Sequence, residues 1–296
     1  MQDRYAGDIG DYVKIAILRA LAPGRRLGVA WWLYPDEQHN GDGRHIAYLG
    51  QPETWRGFDP EAFDHLRTMV AAGGRNVGSL QDERLLPGAV YFAEPVPTIG
   101  KPPARRQARA NWLGRLVEAV DPCDLLFLDP DNGLETKRFD LGAAKAGKSA
   151  ALSELLALRR PGRSLLVYHH QTRMRGGHDV ELAHWGERLM AAGFEQVDAL
   201  RASAYSARAF FLLDGSPDLR ARAAALAAHW AGRLNWRPDL GANTTAPAQA
   251  ALGALNHQTE VALARAAAEP DLERRGRLIA EASDLHAQAV ASATKA

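Results

Sequence analysis

The chain has 296 residues, 46% of them hydrophobic, so it can bury a large core and needs no more than one domain plus an appendage. Lys+Arg 36 against Asp+Glu 35 leaves a formal net charge of +1, which excludes a global field that demands nucleic acid, although a local basic face stays open. The single cysteine, Cys123, excludes an intrachain disulfide and fits a reducing cytoplasm; with no apolar targeting region and no run of about 18 apolar residues, the expectation is a soluble, cytoplasmic, non-membrane protein.

Taken in order, Tyr5-Ala-Gly-Asp-Ile-Gly-Asp-Tyr-Val-Lys14 opens a helix predicted over Asp11–Ala20, with Asp8 or Asp11 as its cap and Ile15, Leu18 and Leu21 as its buried stripe. A strand predicted over Leu27–Tyr34 empties into Pro35-Asp36-Glu-Gln-His39-Asn-Gly41-Asp-Gly43-Arg-His45. Glycines here let backbone approach a nucleotide-like ligand, yet Asn-Gly and Asp-Gly equally make an ordinary surface turn. A helix over Pro60–Ala72 precedes a strand over Ala89–Ala93, after which Glu94 sits where nucleoside-binding sheets place an acid on ribose hydroxyls. Lys101 to Arg109 is a proline-bounded basic start to a helix over Arg105–Val120, readable as a phosphate-backbone contact or as a solvated face.

The strand Asp124–Leu128 follows, with Cys123 read as a small buried thiol at its start. It stops abruptly at Asp129-Pro130-Asp131-Asn132-Gly133, the way a buried parallel strand delivers polar groups to the carboxyl edge of a sheet. Beyond a helix over Ala150–Leu158, the strand Ser164–His169 runs into Tyr168-His169-His170. Adjacent strand residues face opposite ways, so one histidine at most enters a shared pocket, where it could act as a general base. Arg173, Arg175 and two glycines then form a cationic loop suited to a phosphate or carboxylate.

After a helix over Val180–Ala192, strands over Gln196–Leu200 and Ala207–Leu213 are joined by too few residues for a parallel crossover and must form an antiparallel hairpin. A helix over Ser216–Leu234 completes a domain spanning residues 1–236. Residues 237–296 form an alanine-rich extension, read as two amphipathic helices broken near Pro270, for which docking, self-association and partial disorder all stay open. The expected fold class is therefore α/β: a doubly wound, mainly parallel Rossmann-like sheet with a C-terminal antiparallel hairpin, of the class I methyltransferase type, plus an α-helical C-terminal extension.

Three segments in order, G-D-I-G-D-Y-V-K-I-A-I-L, His39-Asn-Gly-Asp-Gly-Arg-His45 and L-D-P-D-N-G-L-E, resemble the ribosomal RNA adenine methyltransferases of the RlmJ type over roughly Tyr5 to Glu135. Those proteins open with a G-N-x-x-D-x-x-K-H helix, continue with a D-x-H-A-G-x-G-R-Y loop and carry D-P-P-Y after the central strand. The resemblance implies S-adenosylmethionine as cofactor, lined by His39, Gly41 and Gly43. It sets Asp11 and Lys14 in the N-terminal cofactor motif, with Asp36 opening the glycine loop. Asp129 would orient or deprotonate the acceptor, the Pro130 carbonyl would fix it, Asp131 or Asn132 would select it, and His170 stands nearby as a base. Here the tetrad reads D-P-D-N, so an added carboxylate replaces the second proline and an amide the aromatic; Tyr168, Phe139 or Trp112 would have to supply any stacking platform.

Two other readings stay open. Asp129, Asp131 and Glu135, with His170, are hard ligands that could hold a divalent metal for phosphodiester cleavage, although no closed spacing for a structural zinc site exists. Alternatively the chain is a non-catalytic module that kept the sheet. Arg173, Arg175 and the Arg105–Arg109 segment are the candidate nucleic-acid contacts; the oligomeric state is left open.

Overall fold

The computed structural model describes residues 1–37, 43–136, 138–172, 174–203, 206–241, 262, 265, 266, 269 and 271–293. A seven-stranded sheet forms the middle layer. Its strands are β1 (Leu27–Ala30), β2 (Val90–Phe92), β3 (Leu125–Leu128), β6 (Ser164–His170), β7 (Val197–Ala202), β8 (Arg208–Leu213) and β9 (Leu234–Arg237), in spatial order β2-β1-β3-β6-β8-β7-β9. Two-residue strands β4 (Gly133–Leu134) and β5 (Ser149–Ala150) pair separately. β2, β1, β3 and β6 are mutually parallel, while β8 pairs antiparallel to both β6 and β7, and β9 antiparallel to β7. The fold is thus α/β with a mostly parallel mixed sheet, compatible with a Rossmann-like architecture.

Both faces of the central strands are buried, as continuous apolar runs require. Leu125 and Phe127 join the core beneath α1 (Ile9–Leu21), α3 (Pro60–Ala71) and α7 (Pro217–His229). Leu126 and Leu128 join the opposite core with α4 (Pro102–Ala119), α5 (Leu152–Leu158) and α6 (His178–Ala191). A four-residue helix, α2 (Pro52–Trp55), lies between β1 and α3. Asp8 caps α1 by accepting the Asp11 N–H at 3.1 Å, which settles the choice between the two aspartates. Cys123 is fully buried, and burial pushes its thiol up from its ordinary pKa.

Two expectations need correction. The first strand ends at Ala30, not Tyr34, because Trp32 adopts a φ of +37°, a conformation costly for a bulky residue. That turn seats its ring edge-on against Trp112 at 4.7 Å, under the Arg109 guanidinium. The helix predicted over Ser216–Leu234 stops at His229, and Leu234–Arg237 forms an additional edge strand. In the extension, the helix Leu272–Ala293 docks on α4 and α5: Ile279 and Ala282 are buried, and Ser153 Oγ donates to Ser283 Oγ at 3.0 Å. The earlier predicted helix of the extension and the Pro270 break lie outside the described residues. No helix among the described residues is long and apolar enough to cross a membrane.

Candidate functional site

The chain passes from β1 outward to β2 and then back across β1 to β3, so the strand order reverses between β1 and β3. Open α/β sheets leave a crevice at the carboxyl ends of the strands beside such a reversal. Here that crevice is a cavity of about 500 Å³, lined by the N-terminal segment and α1, by residues that follow β1 and β3, and by residues of β6 and β8. It draws Asp129, Asp131, Asn132, His170, Lys14 and Gly43 to one place.

The turn after β3 is fixed on every side. Asp129 N–H donates to the Ala30 carbonyl at 3.0 Å, Asn132 N–H to the Lys148 carbonyl at 2.7 Å, and Gly133 N–H to the Pro130 carbonyl at 3.2 Å. Gly133 has φ +93°, and a Cβ there would fall 2.5 Å from the backbone and ring of His169, so only glycine fits. The carboxylate of Asp129 is 1% exposed and accepts from Lys14 Nζ at 2.8 Å; the same ammonium donates to Asp11 at 3.1 Å. Burial works against the charge on Lys14, but Asp129 and Asp11 outweigh it and hold the ammonium above its usual range. For Asp11 burial wins, and its carboxyl is pushed up.

A second ionic group, Glu37, Asp131 and Lys148, also lines the cavity. Asp131 accepts from Gln2 Nε2 at 2.7 Å and pairs with Lys148 Nζ at 3.3 Å, and Lys148 also bonds Glu37. Glu37 N–H in turn donates to Gln2 Oε1 at 3.0 Å, and the Lys148 ammonium lies 5.1 Å from the centre of the Tyr34 ring. The segment after β1, the tetrad and the loop before β5 are thereby joined.

β6 and β8 complete the rim. His170 lies opposite Arg208, and Tyr168 opposite Phe210, so Tyr168, His170 and Arg208 share a face, and all three line the cavity. His169 takes the other face, as strand alternation requires. Its Nδ1 accepts the Leu134 N–H at 3.2 Å, and Nε2 lies 3.4 Å from Glu181. Burial alone would raise Glu181; hydrogen bonds from His169 and Thr172 overcome that and hold its carboxyl down at about 2.

Other expected residues are not brought to the cavity lining. Asp11 stands behind Lys14, and Asp36 accepts from the Arg4 N–H at 3.4 Å. Glu94 pairs with Arg115 at 2.8 Å, its carbonyl accepts from Trp112 Nε1 at 3.0 Å, and it does not reach the lining. The Pro130 carbonyl faces the turn, accepting from Gly133. Glu135 is held by Arg188 at 2.8 Å and by the Leu152 N–H at 3.0 Å, apart from Asp129 and Asp131. Among the described residues no group of three or more His, Cys, Asp or Glu side chains is arranged to hold a metal. Of the aromatic candidates, Tyr168 lines the cavity, Trp112 is buried in the core and Phe139 lies off the lining.

The basic segment is divided: Lys101 and Arg106 are exposed, Arg105 is half-buried and Arg109 is buried. Arg109 is buried on Glu154 at 2.6 Å, Arg106 pairs with Asp140 and Arg105 bonds the Gly142 carbonyl. Arg175 is exposed and off the lining. His39, Gly41 and Arg173 lie outside the described residues. The sequence reading missed Gln2, Glu37, Lys148 and Arg208, which converge only through the fold; in the β7–β8 hairpin Arg208 lies opposite Ala202, and it meets His170 only across the β6–β8 pairing, for which the sequence carried no signal.

No protein-family model, curated protein or solved structure matches the chain.

Proposed function

We propose that the chain is an S-adenosylmethionine-dependent methyltransferase or methyltransferase-like protein that acts on an amine of a nucleic acid or small molecule. The observation that carries this reading is the meeting of the Asp129–Asn132 turn and the Gly43 backbone in one crevice, at the reversal of strand order. The strand order supports it too: β8 runs antiparallel between β6 and β7, as the class I methyltransferase architecture leads one to expect.

The donor set fits the cofactor. Ligand cavities run from roughly 300 to 1,000 Å³, a range that includes the present one of about 500 Å³. The lining carboxylates Glu37, Asp129 and Asp131, each paired with Lys14 or Lys148, keep further oxygens that could accept from the ammonium of the ligand, and Gly43 contributes backbone to the same lining. When bound, the cofactor supplies an electrophilic methyl group.

Around it, Lys14 holds one oxygen of Asp129, which leaves the other to orient an acceptor amine. Asn132, exposed at the rim, offers an amide to select that acceptor. His170, on the cavity face of β6, would take the amine proton. The arrangement does not favour the phosphodiesterase reading, because Glu135 is committed to Arg188.

Isothermal titration with S-adenosylmethionine and S-adenosylhomocysteine tests the proposal. Saturable binding is expected for the natural chain and its loss in Gly43→Val, whose Cβ would lie 2.5 Å from the Arg4 carbonyl. No heat at millimolar ligand would remove the reading.

A further inference from the structure

One wall of the cavity is built from loop segments that contribute Tyr5 and Gly43. Arg75, in the turn after α3, reaches this wall from behind and is not itself among the lining residues. Its Nε donates to the Ala6 carbonyl at 2.9 Å, and Nη2 donates to the Arg4 carbonyl at 2.6 Å and to the Gly43 carbonyl. Gly43 has φ +80°, and a Cβ there would strike the Arg4 carbonyl. The two segments therefore run against each other at a separation that only glycine permits, and a single guanidinium bonds both.

Neighbouring bonds point the same way. Asp3 accepts the Val77 N–H at 2.8 Å, which ties the N-terminal segment to the Arg75 turn, and Tyr48 donates to the Gly7 carbonyl at 3.2 Å. A guanidinium presents its N–H donors in a rigid plane, so it can serve several carbonyls at once. An ammonium on a flexible stem has no such preset geometry.

We propose that Arg75 is a positioning residue: by bonding the carbonyls of Arg4, Ala6 and Gly43, it fixes the spacing of the two segments that form the Gly43 wall of the cavity. Its effect on ligand affinity rests on the adenosylmethionine reading; its effect on the wall does not.

The test uses the full chain as Arg75→Ala and Arg75→Lys, with two readouts. Amide hydrogen exchange is followed over residues 43–48 and, as a control, over β6. Affinity for S-adenosylhomocysteine is measured by titration, with and without low-millimolar guanidinium chloride. Expected for Arg75→Ala are faster exchange confined to residues 43–48 and affinity lower by about tenfold, both reversed by added guanidinium. Arg75→Lys should show the same faster exchange without rescue, and it carries the measurement if Arg75→Ala does not fold. Unchanged exchange at 43–48, equal loosening of β6, or unaltered affinity in a chain that binds the ligand would overturn the assignment. If the natural chain binds no S-adenosylhomocysteine, the cofactor reading fails, and the exchange experiment still decides the role of Arg75.

Discussion

At Lys14, one ammonium sits between two carboxylates, Asp11 and Asp129, and all three side chains are buried. Taking one partner out of such a group leaves uncompensated charge in a poorly hydrated place, at a cost of about 3–5 kcal/mol. Lys14→Met should therefore lose about that much in urea denaturation, while adding Asp11→Asn and Asp129→Asn should recover most of it. Full stability in the single variant would show that water reaches the site. This group was partly legible: Asp11, Lys14 and Asp129 each stood out in the sequence, but nothing local tells that Lys14 and Asp129, 115 positions apart, form an ion pair. Lys148 carried no signal at all. It ends a three-residue 3-10 turn, Ala146–Lys148, too short to show periodicity, and its role depends on Glu37 and Asp131 arriving from two other segments.

Among the elements, alternation of apolar runs and helical stripes made the central strands and their covering helices readable, because burial on both faces writes itself into composition. Edges write less. β9 is four residues long and only its first is buried, so the alanine-rich helix before it was read through to Leu234. Charge also misleads at this scale. Arg109 looked like part of a solvated basic face, but it lies on the side of α4 that carries Trp112 and meets Trp32, where Glu154 neutralises it while reaching back to the Ala151 N–H before α5. The C-terminal helix makes a testable contact: at Gly276 a Cβ would fall 2.2 Å from the Asn111 side chain. Gly276→Leu should strain that junction by about 1–3 kcal/mol and speed amide exchange in both α4 and the C-terminal helix. Unaltered exchange would mean that the helix does not dock there in solution.

For the molecule as a whole, acid sensitivity follows from Glu181. Its folded-state carboxyl, at about 2, lies below the ordinary value of 4.5, so the unfolded chain takes up that proton first. The stability it contributes is complete above 4.5 and disappears as pH falls towards about 2. Thermal melts across that window should show a shallower decline for Glu181→Gln than for the natural chain; parallel curves would contradict the assignment. The direction of β8 has a wider consequence. Running against its neighbours, it begins at the rim where they finish, and it supplies Arg208 to the crevice from a strand whose outgoing loop lies at the far end. A shift of β8 by one residue against β6 would exchange Arg208 with Ala209, sending a cation into the hydrophobic interior and a methyl group to the ligand side. Any lineage of this fold that keeps its guanidinium must therefore hold the frame in which β8 pairs with β6 as strictly as it holds the arginine.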